Sequence, residues 1–172
     1  MLQPGINKKD HIQGSFTAPV VLVEYGDYQC PHCGAAHPEV KKLIRHFGEK
    51  MAFIFRNFPL SESHEMAFPS ALSAEAAAAK GLFWEMHDAL FARQPLLVKG
   101  AHGLEQIIGS VGLDPREIEK EWNNPALIQR VNDDFEGGVL SGVNGTPSFF
   151  INGVKYNGIA EFAQMERAIR DI

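Results

Sequence analysis

Two apolar runs near the N-terminus predict buried strands, and an amphipathic segment separates them. Residues 20–25 read Val-Val-Leu-Val-Glu-Tyr, and residues 51–58 read Met-Ala-Phe-Ile-Phe-Arg-Asn-Phe. Such runs are typical of strands with both faces buried. Between them, apolar side chains recur at helical spacing along one face: Ala36, Val40, Leu43, Ile44 and Phe47. The pattern predicts a β-α-β unit, and a right-handed crossover makes its two strands parallel.

The middle of the chain changes to a helical pattern. Residues 70–80 are rich in alanine, which has the highest helix propensity of all residues. Asp114-Pro115 and Asn124-Pro125 each place a capping side chain before a proline, a combination typical of a helix start. We therefore expect a helical insertion over residues 62–140.

The strand pattern returns after the helical segment. A loop at residues 142–147 reads Gly-Val-Asn-Gly-Thr-Pro, and the apolar run Ser-Phe-Phe-Ile follows it. Asn152-Gly153 predicts a type I′ hairpin to a further strand at 154–156, and a terminal amphipathic helix is expected over 160–172. We expect an α/β fold with its core in residues 15–61 and 141–172, preceded by a polar N-terminal arm at 1–14.

Composition and charge exclude several classes of function. The chain is 45% hydrophobic and 22% charged, which is ordinary for a globular domain. Its net charge of −5 offers no basic surface for nucleic acid. No apolar stretch approaches the roughly 18 residues of a membrane span, and the first ten residues lack the apolar core of a secretory signal. As given, the chain is expected in the cytoplasm; a trimmed leader would place it in the periplasm or outside the cell.

The candidate chemistry is a pair of cysteines, Cys30 and Cys33, the only two in the chain. They stand between the first strand and the amphipathic helix, in the sequence Cys-Pro-His-Cys. The free N–H groups and partial positive charge of a helix N-terminus stabilise a thiolate. Pro31 suits the first helical turn, and the His32 imidazole can offer the Cys30 sulfur a positive charge and a donor. We therefore expect a redox-active dithiol in which the pKa of Cys30 is lowered.

A zinc site is the alternative use of two cysteines. Zinc takes about four ligands, and the chain has no second cysteine pair, so we expect no metal. Six histidines show no clustering along the sequence and are expected to be surface or capping residues: His11, His37, His46, His64, His87 and His102.

The order of these elements, with Cys-Pro-His-Cys after the first strand, resembles that of the thioredoxin superfamily. The resemblance is closer to the DsbA-like thiol-disulfide oxidoreductases, which carry a helical insertion within a thioredoxin core. Two strings carry it: Glu-Tyr-Gly-Asp-Tyr-Gln-Cys-Pro-His-Cys at 24–33, and Gly-Val-Asn-Gly-Thr-Pro-Ser-Phe-Phe-Ile-Asn-Gly at 142–153. It extends over residues 16–172 and implies a thioredoxin-like core with an inserted helical subdomain.

The resemblance also implies roles for individual residues. Cys30 would be the exposed nucleophile and Cys33 the buried cysteine that resolves the mixed disulfide. Pro147 would follow a cis peptide bond and lie against the dithiol. Thr146 would offer its backbone to a bound substrate segment, and Glu24 would be a buried acid beneath the active-site helix.

Four acidic or aromatic positions have expectations of their own. Glu24 interrupts an apolar strand, so it is either a proton acceptor that serves Cys33 through water or a solvent-facing position; the resemblance favours the acceptor. Asp27, in the loop before the cysteines, is expected to be a solvated acid. Tyr28 and Phe149 are expected to help form an apolar groove for unfolded polypeptide.

The main functional prediction is disulfide exchange with protein thiols or disulfides, without any cofactor beyond a Cys30–Cys33 disulfide. Its partners would be protein substrates, a redox-recycling partner of unknown identity and, as a further candidate, glutathione. Two other functions remain open. One is a glutathione-dependent transferase or isomerase, against which the second thiol argues, and the other is a non-enzymatic module that binds polypeptides.

Overall fold

Five strands form a single sheet in the computed structural model, which describes all 172 residues. The strands are β1 (His11–Gln13), β2 (Val20–Gly26), β3 (Met51–Asn57), β4 (Ser148–Ile151) and β5 (Val154–Tyr156). Their order across the sheet is β1-β3-β2-β4-β5. β2 and β3 are parallel, and every other neighbouring pair is antiparallel. The parallel β-α-β unit and the C-terminal hairpin are therefore confirmed.

Seven α-helices accompany the sheet. They are α1 (Pro31–Phe47), α2 (Ala67–Ala78), α3 (Phe83–Ala92), α4 (Ala101–Ser110), α5 (Pro115–Lys120), α6 (Pro125–Leu140) and α7 (Phe162–Arg170). Short 3₁₀ turns cover Gly48–Lys50, Gln94–Lys99 and Glu121–Asn123. The helices from α2 to α6 all lie between β3 and β4 in the chain, as the helical pattern predicts. None of the helices has the length and apolar character needed to cross a lipid bilayer.

The helix boundaries follow the capping signals in the sequence. The side chains of Asp114 and Asn124 each accept a hydrogen bond from a backbone N–H two residues further on, which satisfies a donor that the first helical turn leaves free. Gly48 ends α1 with a positive φ of 52°, a conformation that glycine adopts at little cost. The α/β fold class is confirmed; the division into core and insertion remains a prediction.

The two faces of the sheet are covered by different elements. On one face, alternate side chains of β2 and β3 such as Leu22 and Phe53 join the larger apolar cluster, to which α1, α3 and α7 contribute. On the other face, Val23 and Ile54 belong to a smaller cluster that includes Leu2 from the N-terminal arm. Because side chains alternate along a strand, Glu24 shares the face of Leu22 and lies on the side of α1.

The N-terminal arm is attached to the sheet by a buried ion pair. The guanidinium of Arg56, on β3, donates from Nε and Nη2 to the two carboxylate oxygens of Asp10 at 2.8 and 2.9 Å. Its Nη1 donates to the Pro4 carbonyl and to the Tyr25 hydroxyl. The polar sequence of this arm predicts no strand, because the short sequence His-Ile-Gln gives no strand pattern. The arm nevertheless includes β1.

We expect the Asp10→Ala substitution to lower the free energy of unfolding by about 3–5 kcal/mol, because it leaves the buried Arg56 charge without a partner. Urea unfolding of the two proteins measures the difference. Glu62→Ala, at an exposed position, is the matched control and should change stability by less than about 0.5 kcal/mol. Equal effects of the two substitutions would show that the ion pair does not hold the arm.

Candidate active site

The two cysteines lie at the N-terminus of α1. Cys30 is the N-cap residue, with an extended backbone, and Pro31 occupies the first helical position. Both cysteines are free thiols. Cys33 is fully buried and Cys30 is only 4% exposed, so the Cys30 sulfur is more covered than we expected. The carbonyl of Thr146 lies 3.6 Å from that sulfur, in the loop that precedes β4.

Hydrogen-bond donors around the Cys30 sulfur favour its thiolate. They lower the pKa of Cys30 from 9.0 to about 5. The side-chain hydrogen bond from Cys33 contributes most; burial opposes it, and the side chain of Thr146 and the backbone N–H groups of Cys33 and His32 add to it. The His32 side chain is exposed, and His32 acts through its backbone N–H. The lowered pKa thus agrees with the direction predicted, and N–H groups of the helix N-terminus are among its causes; the contribution of the His32 imidazole stays a prediction.

The second sulfur has the opposite preference. Burial raises the pKa of Cys33 well above its ordinary value, and the hydrogen bond to Cys30 and the negative charges of Glu24 and Cys30 raise it further. The backbone N–H of Asp27, 3.5 Å from the Cys33 sulfur, opposes the shift only in part. At neutral pH the site therefore holds one thiolate and one thiol, which are the protonation states of an attacking and a resolving sulfur.

Glu24 is buried in the middle of the sheet beneath α1. Its side chain is 1% exposed, so the solvent-facing alternative is wrong. Burial, with the charge of Cys30 as a second cause, raises the pKa of Glu24 to about 8. Its Oε1 has no hydrogen-bond partner. Gly26 lies two positions further along the same face. Its lack of a side chain lets the Phe55 ring and Oε1 approach the strand, since a Cβ there would lie 2.5 Å from the ring and 3.0 Å from Oε1.

Asp27 organises the loop between β2 and the cysteines. It is 1% exposed, so the prediction of a solvated acid is wrong. Oδ1 accepts from the Gln29 N–H at 2.8 Å, and Oδ2 accepts from the Leu60 N–H at 3.0 Å and from His64 Nδ1 at 2.7 Å. These partners lie up to 37 residues away, a distance over which the sequence pattern carries no signal.

Thr146 and Pro147 face the dithiol, and the peptide bond between them is cis. The Thr146 hydroxyl is buried, and this side chain is one of the groups that lower the pKa of Cys30. A cavity of about 870 Å³ adjoins this loop; among the residues that line it are His32, Ala36, Glu39, Thr146, Pro147 and Ile159.

The walls of this cavity differ from those expected. Tyr28 and Phe149 are both buried in the core, so the prediction that they form an exposed groove is wrong. The Tyr28 ring packs in a tilted arrangement against the rings of Phe55 and Phe91, at centroid distances of 5.0 Å each. The exposed apolar side chain beside the dithiol is Ile159 instead.

A side chain from the helical segment, which the sequence did not indicate, binds the loop that carries the dithiol. Gln94, in the 3₁₀ turn after α3, donates from Nε2 to the carbonyls of Tyr28 and Cys30, both at 2.8 Å. Gly34 makes room for it, since a Cβ at Gly34 would lie 2.3 Å from the Gln94 Oε1. Gln94 stands 64 residues after Cys30, and no local motif marks it.

The histidines are also placed differently from the prediction. His87 is fully buried, and its ligand atom lies close to those of His37 and Asp88. His11 bonds the buried carboxylate of Glu75. The expectation of surface histidines holds for His46 and His102. It is wrong for His37 and His87, because α1 and α3 bring together residues that are about 50 positions apart in the sequence.

Comparison with known proteins gives a consistent assignment of the fold. A family model described as Thioredoxin (Thioredoxin_4) matches residues 6–171. Among solved structures, a thioredoxin-like oxidoreductase from Silicibacter pomeroyi DSS-3 superposes with a TM-score of 0.81 at 25% identity, covering 96% of this chain and 92% of that one. The alpha-DsbA1 of Wolbachia pipientis superposes with a TM-score of 0.83 at 21% identity, with the same coverage. The predicted thioredoxin-like fold is therefore confirmed.

The curated relatives of this chain have names that differ from those of its structural neighbours. A protein named Na(+)/H(+) antiporter NhaA 1 from Mycobacterium sp. (strain KMS) is 36% identical over 171 residues, which are 98% of this chain and 28% of that protein. Another of that name, from Salinispora arenicola (strain CNS-205), is 36% identical over 164 residues, 94% of this chain and 24% of that protein. The chain thus spans about a quarter of the length of these relatives.

We expect the Glu24→Gln substitution to stabilise the folded protein at pH 8 and to have no effect near pH 4. In the unfolded chain the pKa of Glu24 is about 4.3, and folding raises it to about 8. The carboxyl therefore costs nothing while it is protonated in both states, and the cost grows as the pH rises between these two values. Urea unfolding should show a gain of a few kcal/mol at the higher pH.

Glu62→Gln, at an exposed position, controls for the general effect of removing a negative charge. A stability difference between Glu24→Gln and the unchanged protein that is the same at both pH values would contradict the raised pKa of Glu24.

We expect Gln94→Met to raise the pKa of Cys30 by roughly one unit, the equivalent of about one hydrogen bond. Methionine has a similar shape but cannot donate to the two carbonyls. The pH dependence of alkylation of Cys30 by iodoacetamide measures this pKa. Gln106→Met, on the exposed face of α4, is the control; the same pKa in both variants would show that Gln94 has only a structural role.

Proposed function

The chain belongs to the thioredoxin superfamily and has the DsbA-like fold, and on this basis we propose that it is a thiol-disulfide oxidoreductase that exchanges disulfides with protein substrates through Cys30 and Cys33. The observation that carries the proposal is the opposed pair of pKa shifts at the N-terminus of α1. A pKa of about 5 makes Cys30 a thiolate at neutral pH, and the raised pKa of Cys33 keeps its proton in place. Attack and resolution are thereby assigned to different sulfurs.

In the oxidising direction, the protein begins with a Cys30–Cys33 disulfide. A substrate thiolate attacks the Cys30 sulfur, the bond between the two cysteines breaks, and Cys33 leaves with the electron pair and takes up a proton. A second substrate thiolate then attacks the substrate sulfur of the mixed disulfide, and Cys30 leaves as a thiolate. The substrate loses two electrons and two protons, of which one proton remains on Cys33 and the other reaches solvent.

The low pKa of Cys30 favours this direction, because a thiolate of low pKa is a good leaving group and a stable product. Stabilising the reduced form makes the couple more oxidising. A partner disulfide must afterwards accept the two electrons from Cys30 and Cys33, which is the role that we assign to the redox-recycling partner.

In the reducing direction, the Cys30 thiolate attacks a substrate disulfide, and Cys33 must lose its proton before it can resolve the intermediate. We assign to Glu24 the role of accepting that proton through water. The charge of the Cys30 thiolate is one cause of the raised pKa of Glu24. The mixed disulfide removes that charge and so lowers the pKa of Glu24 toward neutral pH, where a proton acceptor is most effective.

The substrate is proposed to bind as an extended segment along the cavity beside Thr146 and Pro147. The cavity opens next to His32 and is flanked by the exposed apolar side chain of Ile159. The backbone of Thr146 can pair with such a segment as a short added strand, while the apolar wall contacts its side chains. We propose no cofactor beyond the Cys30–Cys33 disulfide.

We expect Cys33→Ser to accumulate mixed disulfides with a test protein that carries one accessible disulfide, and Cys30→Ser to accumulate none. In the first variant the Cys30 thiolate attacks but nothing resolves the product; in the second, the remaining thiol is buried and protonated. Non-reducing gels and mass spectrometry of the adducts measure the outcome. Equal trapping by both variants would overturn the assignment of the nucleophile.

The same two variants separate the proposal from the other two functions. Tight binding of glutathione by Cys33→Ser without any exchange would favour a glutathione-dependent transferase or isomerase. Retention of polypeptide binding and of cellular effect in Cys30→Ser would favour a non-enzymatic binding module.

A further inference from the structure

A second group of ligating side chains lies beside the dithiol, where α1 packs on α3. We propose that His37, His87 and Asp88 form a binding site for a zinc ion. One ligand atom from each residue lies within 4.8 Å of the others. Two imidazole nitrogens and a carboxylate oxygen are a donor set that zinc accepts, with water in the fourth position. The site uses neither cysteine, so it does not depend on the proposed function.

His87 is the buried member of the site and is held in one orientation. Its Nδ1 is 2.9 Å from the hydroxyl of Tyr28, and the rings of Phe55 and Phe91 pack edge-on against it. With its hydrogen on Nδ1, the ring donates to Tyr28 and leaves the lone pair of Nε2 for a metal. In histidines that ligate metals, the ring nitrogen that does not bind the metal typically donates a hydrogen bond, as Nδ1 does here to Tyr28.

His37 supplies a second neutral imidazole from α1. Its ring stacks on Phe91 at a centroid distance of 5.0 Å, and its centroid lies 5.4 Å from that of His87. Burial lowers the pKa of His37 and lowers that of His87 further. Both rings are therefore uncharged at neutral pH, the state in which imidazole binds a metal.

Asp88 completes the group with an oxygen that has no partner. Its Oδ2 accepts from Lys41 Nζ at 2.9 Å, whereas its Oδ1 is buried without a hydrogen bond. This oxygen lies 3.4 Å from Nε2 of His37. An ion pair between them would require a protonated His37, which its burial disfavours. A cation between the carboxylate oxygen and the two imidazoles satisfies all three groups at once.

Lys41 is a positively charged group beside the site, since its ammonium donates to Asp88, and its removal provides a test. Its ammonium is partly exposed, so its repulsion of a bound ion is reduced by solvent but not removed. A zinc site at this position must bind more tightly when Lys41 is replaced by an uncharged side chain. A simple ion-pair network predicts no such gain.

The experiment uses the full chain with Cys30→Ser and Cys33→Ser, so that the thiols cannot bind metal. Co²⁺ is titrated as a spectroscopic probe and then displaced with Zn²⁺, and affinities are measured by competition with a chromophoric chelator. We expect one Co²⁺ per chain, displaced by one Zn²⁺. Affinity should fall at least tenfold in His37→Phe and in Asp88→Asn, and rise in Lys41→Met.

His102→Phe is the matched control, because His102 is an exposed histidine outside the site, and it should bind metal like the parent. His37→Phe and Asp88→Asn change partly exposed side chains, so their fold can be verified by circular dichroism even if a change at the buried His87 prevents folding. Absence of Co²⁺ binding by the parent would overturn the proposal. So would equal affinities of His37→Phe and His102→Phe.

Discussion

The charge on the Cys30 sulfur and the proton on the Cys33 sulfur depend on each other through the hydrogen bond that joins them. The donor that lowers the pKa of Cys30 is the thiol of Cys33, and giving that donor raises the pKa of Cys33. The negative charge so placed also raises the pKa of Glu24 beneath the helix. Removing the thiolate would therefore change the protonation of the whole site, because three groups share one local electrostatic balance.

The fold supports this balance from two directions. Beneath α1, the central strand β2 places Glu24 in an apolar layer, and the missing side chain of Gly26 leaves room for the Glu24 carboxyl and the Phe55 ring. Above, the helical segment reaches back through Gln94, whose amide binds two carbonyls of the dithiol loop. The backbone N–H groups that donate to the Cys30 sulfur are consequently fixed by elements from distant parts of the chain, which is the preorganisation that thiolate stabilisation needs.

Several features could be read from the sequence because their cause is local. Apolar periodicity predicted the parallel β-α-β unit and the hairpin, and the Asp114 and Asn124 caps fell where the sequence placed them. The dithiol at a strand-to-helix junction followed from spacing alone. The predictions were wrong for Asp27 and His87. Both are polar side chains whose hydrogen-bond partners lie tens of residues away in the sequence. The residues next to them in the sequence do not indicate whether such a side chain is solvated or buried.

By itself, the sequence determined the order of the strands and helices from β2 onward and the position of the two reactive sulfurs, because hydrophobic periodicity, capping and helix polarity act over a few residues. Only the tertiary structure decided which donors surround those sulfurs, the backbone N–H of His32 among them. It also brought Gln94 to the dithiol loop and placed His37, His87 and Asp88 together. Burial and electrostatic interaction depend on distances in space, and packing brings together groups that the chain keeps far apart.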